Sequence, residues 1–156
     1  MEALKVKTMT PIQRIVCPVD FSEASRRAID HAIGIAQRYR ASLTALHVAN
    51  PALRSLPEMG TLARDDELTR LHRETAACCA RAVTAGLCVE VQIEIGRADT
   101  EILGLATARR ADLIVMGTHG RGFVGHVMMG SVAERVVRTA PCPVLTVKHP
   151  EHDFVT

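Results

Sequence analysis

Three glycines and a serine, spaced Gly117-x2-Gly120-x9-Gly130-Ser131, are the residues of this chain best suited to holding an anion. They follow Leu113 to Met116, an apolar run with the length of a buried strand. They lead into Ser131 to Thr139, which has helical periodicity. A strand that empties through glycines into a helix start presents amide N–H groups without intrahelical partners, at the positive end of a helix dipole. Glycines let the backbone turn sharply and come close to a ligand. The result is a candidate phosphate cradle, to which His119 and Arg121, inside the same loop, add donors or charge. The same residues also have purely structural uses. Glycines serve turns and close helix–sheet packing, and Ser131-Val132-Ala133-Glu134 has the spacing of a capping box, in which the hydroxyl serves the backbone amides. A phosphate can replace that cap, so both uses of Ser131 stay open. The Lys-Ser/Thr pair of a Walker loop is missing, and no G-x-G-x-x-G follows the first strand.

A second chemical group stands far away in sequence. Asp20 follows the apolar run Ile12 to Val19. Its carboxylate suits a ribose hydroxyl or an adenine amine. It also suits a helix start, since Asp20 or Ser22 is able to cap the next helix and Asp20-x-x-Glu23 has capping-box spacing. His47, inside a predicted strand, is expected to be a satisfied core residue. No metal-ligand spacing is present.

The elements that must bring these groups together alternate strand and helix. Strands are predicted at Ile12–Val19, Leu43–Val48, Leu87–Ile95, Leu113–Met116 and Val144–Val147. Helices are predicted from Ser22 to about Tyr39, with Ala28, Ala32, Ile35, Ala36 and Tyr39 on one face, and from about Leu62 to Ala85, capped by Gly86. Two more cover Ala98–Arg110 and Ser131–Thr139. Such alternation implies right-handed crossovers and a parallel sheet covered on both faces, with the continuous apolar runs of the first and fourth strands at its centre. In such sheets ligands bind beyond the carboxyl ends of the strands, where the strand order reverses. Asp20 and the glycine segment both follow central strands at that edge.

Composition bounds the rest. The chain has 156 residues, enough for one domain with a substantial core. With one Tyr, three Phe and no Trp, it lacks the aromatic platforms of single-strand nucleic-acid binders. A net charge of +2, with dispersed basic residues, gives no nucleic-acid footprint. No apolar run of about 18 residues predicts a membrane span. Five cysteines without a C-x-x-C pair fit a reduced, cytoplasmic setting, with Cys17, Cys88 and Cys142 expected as small buried hydrophobes and no redox role expected for the adjacent Cys78 and Cys79.

From Arg14 to Lys148 the chain resembles the universal stress protein family in its single-domain form. The resemblance lies in Ile15-Val16-Cys17-Pro18-Val19-Asp20-Phe21-Ser22, in His47-Val48, in the block Met116 to Ser131, and in Ala140-Pro141-Cys142-Pro143-Val144. The glycine spacing is similar to the family's ATP-binding signature. The resemblance implies an α/β, Rossmann-like fold of the adenine nucleotide alpha hydrolase kind. Its five-stranded parallel sheet would have order 3-2-1-4-5, with helices on both faces. It implies a domain over 12–148 between tails at 1–11 and 149–156. Pro18, Val19 and Asp20 would line an adenosine pocket, Val48 would contact adenine, Met116 and Gly117 would pack near the ribose, and Gly120, Gly130, Ser131 and Val132 would hold phosphates. Phe123 stands where a small residue is frequent and His126 where a basic one is common, which would crowd the loop and weaken its pull on phosphate.

The function implied is an ATP-binding, stress-response regulatory module without catalytic residues, acting as a homodimer through Val144, Leu145, Thr146 and Val147. ATP with or without Mg2+, other adenine nucleotides and cyclic AMP all stay open as ligands, as do the protein partners. Two alternatives remain: a dimeric regulatory or structural protein of the same fold that binds no nucleotide, and a slow ATPase or nucleotidyl-transferring enzyme. The latter families often carry a His-x-Gly-His type signature after the first strand, where this chain has Pro-Val-Asp-Phe-Ser.

Overall fold

The computed structural model describes residues 11–54, 60–119 and 129–148. Five strands, β1 (Arg14–Pro18), β2 (Ser42–Ala49), β3 (Val89–Ile95), β4 (Leu113–Gly117) and β5 (Val144–Val147), form one sheet in the order β3-β2-β1-β4-β5. All four pairings are parallel. Five helices connect the strands: α1 (Glu23–Tyr39), α2 (Thr61–Cys78), α3 (Ala80–Thr84), α4 (Ala98–Ala108) and α5 (Ser131–Thr139), with a short 3-10 turn at Pro51–Arg54. The order reverses at β1, which has β2 on one side and β4 on the other.

The core forms in two layers because successive strand residues face opposite ways. Ile15, Cys17, Leu43, Ala45, Leu113 and Val115 pack against α1 through Ala28, Ala32, Ile33 and Ala36. Val16, Leu46, Ile114 and Met116 pack on the other face against Ile102, Leu105 and Ala106 of α4 and Ala133 and Val136 of α5. The alanines of α1 let that helix lie close to the sheet.

Several expectations require correction. Tyr39 is not on the buried face of α1: it is 55% exposed, and the stripe is shifted toward Ile29 and Ile33. The buried stripe ends at Ala36, and Arg40, at φ 55°, turns the chain so that Ala41 enters the core instead. The helix predicted from Leu62 to Ala85 breaks at Cys79, whose N–H bonds to Ala76 and Ala77 carbonyls. That break lets Cys79 and Ala82 both reach the core layer of Cys17. Gly86, at φ 73°, does end the segment: its N–H donates to Val83 O and the Leu87 N–H to Ala82 O, the paired bonds of a Schellman motif. Cys88, expected to be buried, is exposed, because it precedes β3 at the edge of the sheet; Cys142 is half-buried.

Candidate functional site

The carboxyl ends of β1 and β4 open onto a cavity of about 430 Å³. Its floor is apolar: Leu46, Val48, Ile102, Met116, Ala98 and Ala133. Polar groups sit around it on Asp20, Ser25, Thr118, His119 and Ser131. Pro18, Val19, Asp20, Val48, Met116, Gly117, His119, Gly130, Ser131 and Val132 all line this one space, although they come from both ends of the sequence. Gly120, Arg121, Phe123 and His126 lie outside the described residues.

The β1 side is built by the chain's exit from the strand. Phe21 takes φ 65°, an uncommon left-handed conformation for a residue with a side chain. Its ring stacks on His47, with centroids 4.5 Å apart, and His47 Nδ1 donates to Val19 O at 2.7 Å. Ser22 caps α1, accepting from the Ser25 N–H at 3.2 Å, so the Asp20-x-x-Glu23 box does not form. Asp20 Oδ1 instead accepts from the N–H and hydroxyl of Ser22. Its Oδ2 has no hydrogen bond among the described residues. The carboxylate is thus fixed at one oxygen and free at the other, on the wall of the cavity.

The β4 side contains the opposite arrangement, a helix end without a cap. Gly130, not Ser131, is the N-cap of α5, and no side chain makes a capping bond there. Ser131 is the first helical residue and is exposed, so the capping box predicted from Ser131 to Glu134 does not form. The reason is geometric. Gly130 donates its N–H to Thr118 O at 2.7 Å, which pins the chain one residue before the serine, and the Glu134 N–H bonds to Gly130 O. The first-turn amides of α5 therefore remain without side-chain caps at the edge of the cavity.

The glycines divide into different roles. A Cβ on Gly117 would lie 2.9 Å from the carbonyl carbon and Cβ of Ala24, so this glycine allows α1 to sit against the end of β4. A Cβ on Gly130 would lie 3.1 Å from Thr118 O, a tighter fit at the entrance to α5. Thr118, 2% exposed, joins β4 to β5 through its N–H, which donates to Val147 O at 2.9 Å, and its Oγ1 lies 2.9 Å from His119 Nδ1. Although a hydroxyl beside an imidazole has the elements of a nucleophile and base, Thr118 is nearly sealed and its hydroxyl also reaches Val147 O. His119, 9% exposed, borders the cavity beside Thr118.

α4 and α5 are fastened to one another beside the opening. Asp99, 6% exposed, follows the lining residue Ala98 and is paired with Arg97 at 3.2 Å and Arg135 at 3.0 Å. Burial opposes the charge of Asp99, but the Arg97 hydrogen bonds and charge, the Thr100 amide and Arg135 outweigh it, leaving its pKa below the ordinary aspartate value. Among the described residues, no group of three or more His, Cys, Asp or Glu side chains is placed to hold a metal ion.

The sequence pattern of the universal stress protein family matches residues 11–148. The chain belongs to the universal stress protein family. It is 35% identical over 144 residues to a universal stress protein of Methanocaldococcus jannaschii, covering 90% of this chain and 85% of that one. Among solved structures, it is similar to a hypothetical protein whose biochemical function was assigned from its structure, with a TM-score of 0.80 and 26% identity over 90% of this chain and 98% of that one. It is also similar to a universal stress protein crystallised in complex with cAMP, with a TM-score of 0.67 and 26% identity, covering 89% and 98% of the two chains.

Some lining residues carried no chemical signal in the sequence. Ser25, Leu46, Ala98, Ile102 and Ala133 reach the cavity through helix and strand packing, and their types fit any core. Thr118 had one available signal, its place between Gly117 and His119 in the glycine segment.

Proposed function

We propose that this universal stress protein binds an adenine nucleotide in the cavity beyond β1 and β4, and acts as a dimeric regulatory module whose shape or partner affinity depends on that ligand. The observation that carries the proposal is the pairing of Asp20, with a free carboxylate oxygen, and the uncapped start of α5 across one apolar-floored cavity. A nucleoside phosphate has the matching parts: a flat apolar base, hydroxyls that donate to a carboxylate, and an anionic end that accepts from helix-start amides. The similar protein crystallised with cAMP supports the same ligand class. ATP, with or without Mg2+, is the expected ligand within that class, on the strength of the glycine spacing.

Ser131 is proposed as a phosphate donor and Val48 as a wall of the base pocket, with Gly120 and Arg121 completing the phosphate end. The module is proposed to be non-catalytic. Isothermal titration with Mg-ATP, AMP and cAMP tests the binding. Heat of binding for at least one of them, reduced about tenfold in affinity by Asp20→Ala as expected for a lost charge-assisted hydrogen bond, supports the proposal. A folded protein that gives no heat with any of the three at millimolar concentration refutes it. A phosphate-release assay with bound ATP separates binding from turnover.

A further inference from the structure

The opposite end of the sheet holds a second cavity, of about 250 Å³, at the starts of β1, β2 and β3. Its chemistry differs from that of the first. Arg14, Ser42, Thr44, Cys88, Glu90 and Arg109 all line it. Thr44 is only 8% exposed, yet its hydroxyl has no hydrogen bond among the described residues. No described side-chain N or O atom is sealed away without a partner, so this hydroxyl faces the space that the residue lines. Buried polar groups are ordinarily satisfied, so a hydroxyl left open toward a cavity takes its partner from there, a water or a ligand atom. The two guanidiniums are held but not saturated. Arg14 uses Nε and Nη2 on Asp112, and Arg109 uses Nη1 and Nη2 on Glu90 and Gln92. Arg14 Nη1 and Arg109 Nε are free to donate among the described residues.

Cys88 distinguishes this cavity from an ordinary polar cleft. Of the five cysteines it alone is exposed. Cys17 and Cys79 are buried, Cys78 and Cys142 half-buried, and burial raises all four pKa values, that of Cys79 to about 11. Cys88 is also held in place, since its carbonyl accepts from the Leu43 N–H at 3.0 Å. We infer that Cys88 is the site of reversible thiol–disulfide exchange with an acidic low-molecular-weight disulfide of the glutathione type, whose captured half lies in the adjoining cavity. Each half of such a disulfide carries two carboxylates and one ammonium, and the cavity offers one open N–H donor on each of two guanidiniums, which are themselves paired with Asp112 and Glu90. The exchange balances without another oxidant. The Cys88 thiolate attacks one sulfur, the disulfide bond breaks, a mixed disulfide forms, and the departing thiolate takes up the proton that Cys88 lost. Cys88 borders the edge opposite β5 and the end of the sheet opposite the nucleotide cavity, so the exchange requires neither.

Intact-mass measurement and peptide mapping after incubation with glutathione disulfide test the inference, with neutral hydroxyethyl disulfide as the comparison. One glutathionyl adduct on Cys88, absent in Cys88→Ser, is expected. Its rate advantage over the neutral reagent is expected to fall about tenfold in Arg109→Gln or Thr44→Val, the effect of losing one charge-assisted or buried hydrogen bond. Arg14→Gln provides a third, surface variant should Thr44→Val fail to fold. An adduct on another cysteine, no adduct, or an advantage unchanged in every folded variant overturns the assignment. None of these readouts depends on nucleotide binding.

Discussion

Two serines, each at the start of a helix beside the cavity, differ in what they hold. Ser22 makes the capping bond of α1, so Ser22→Ala is expected to cost about 1 kcal/mol of stability, the usual effect of losing an N-cap. Ser131 makes no capping bond in α5, so Ser131→Ala is expected to change stability by less than about 0.5 kcal/mol while lowering nucleotide affinity. Denaturant unfolding and titration calorimetry on both variants check the pair; a cap-sized loss of stability in Ser131→Ala would mean that the hydroxyl serves the helix after all. Gly117 gives a contrasting case. Its missing Cβ accommodates the first turn of α1 at 2.9 Å, so Gly117→Ala is expected to destabilise the protein by about 1–3 kcal/mol through overpacking. A melting temperature unchanged in Gly117→Ala would show that α1 has room to move away. The spacing of these residues suggested a cradle, but not that Gly117 packs against α1 while Gly130 caps α5. That distinction depends on Thr118 O fixing Gly130 as the cap, a contact between residues whose types do not reveal it.

At the scale of elements, one buried carboxylate adds an ionic tie between α4 and α5, which also share an apolar layer. Asp99 is held below the ordinary aspartate pKa, so it binds its proton less readily in the folded chain than in the unfolded one. The sign follows directly: its contribution is complete above the unfolded pKa and is lost as pH falls through the lower, folded value. Asp112 behaves in the same way, held low chiefly by hydrogen bonds from Arg14 and also by the Gln13 and Arg14 amides. Thermal melts from neutral pH down through the carboxylate range are expected to show Asp99→Asn less stable than the parent at neutral pH, with the gap closing in acid. A gap that stays constant across that range would remove Asp99 as the cause. The helices themselves were visible in the sequence, and α5 and β5 were located to the residue. The clamp was not, because Arg135 is far from Asp99 in sequence and meets it only when α4 and α5 pack side by side on one face of the sheet.

At the scale of the whole molecule, alternating strands and helices made a parallel sheet legible in the sequence, and the family resemblance supplied its order. That order leaves two edges of unlike chemistry. β3 carries exposed Glu90 and half-buried Gln92 and Glu94 on alternate positions of one face, and the two carboxylates on this edge strand discourage pairing with a second copy. β5 carries Val144, Leu145, Thr146 and Val147, with no charge, and among the described residues it pairs with β4 alone, which leaves its outer edge open. Leu145 is 40% exposed, and Val137 of α5 is 44% exposed. A twofold contact between β5 strands buries Leu145, satisfies the edge and closes without leaving a free copy of the same surface. The proposed homodimer therefore uses β5, the edge farthest from Cys88. Leu145→Glu places like charges near the twofold axis and is expected to yield monomer, whereas Gln92→Glu on the opposite edge is expected to leave the dimer intact. Light scattering distinguishes the two variants: a dimer that persists in Leu145→Glu, or dissociates in Gln92→Glu, would move the interface away from β5. The proposed nucleotide cavity lies within one chain, lined by β1, β2, β4, α4 and α5, so monomeric Leu145→Glu is expected to retain nucleotide binding. If it instead loses both together, the cavity depends on the second copy, and Thr118, which ties β4 to Val147 of β5, is the connection through which that dependence would act.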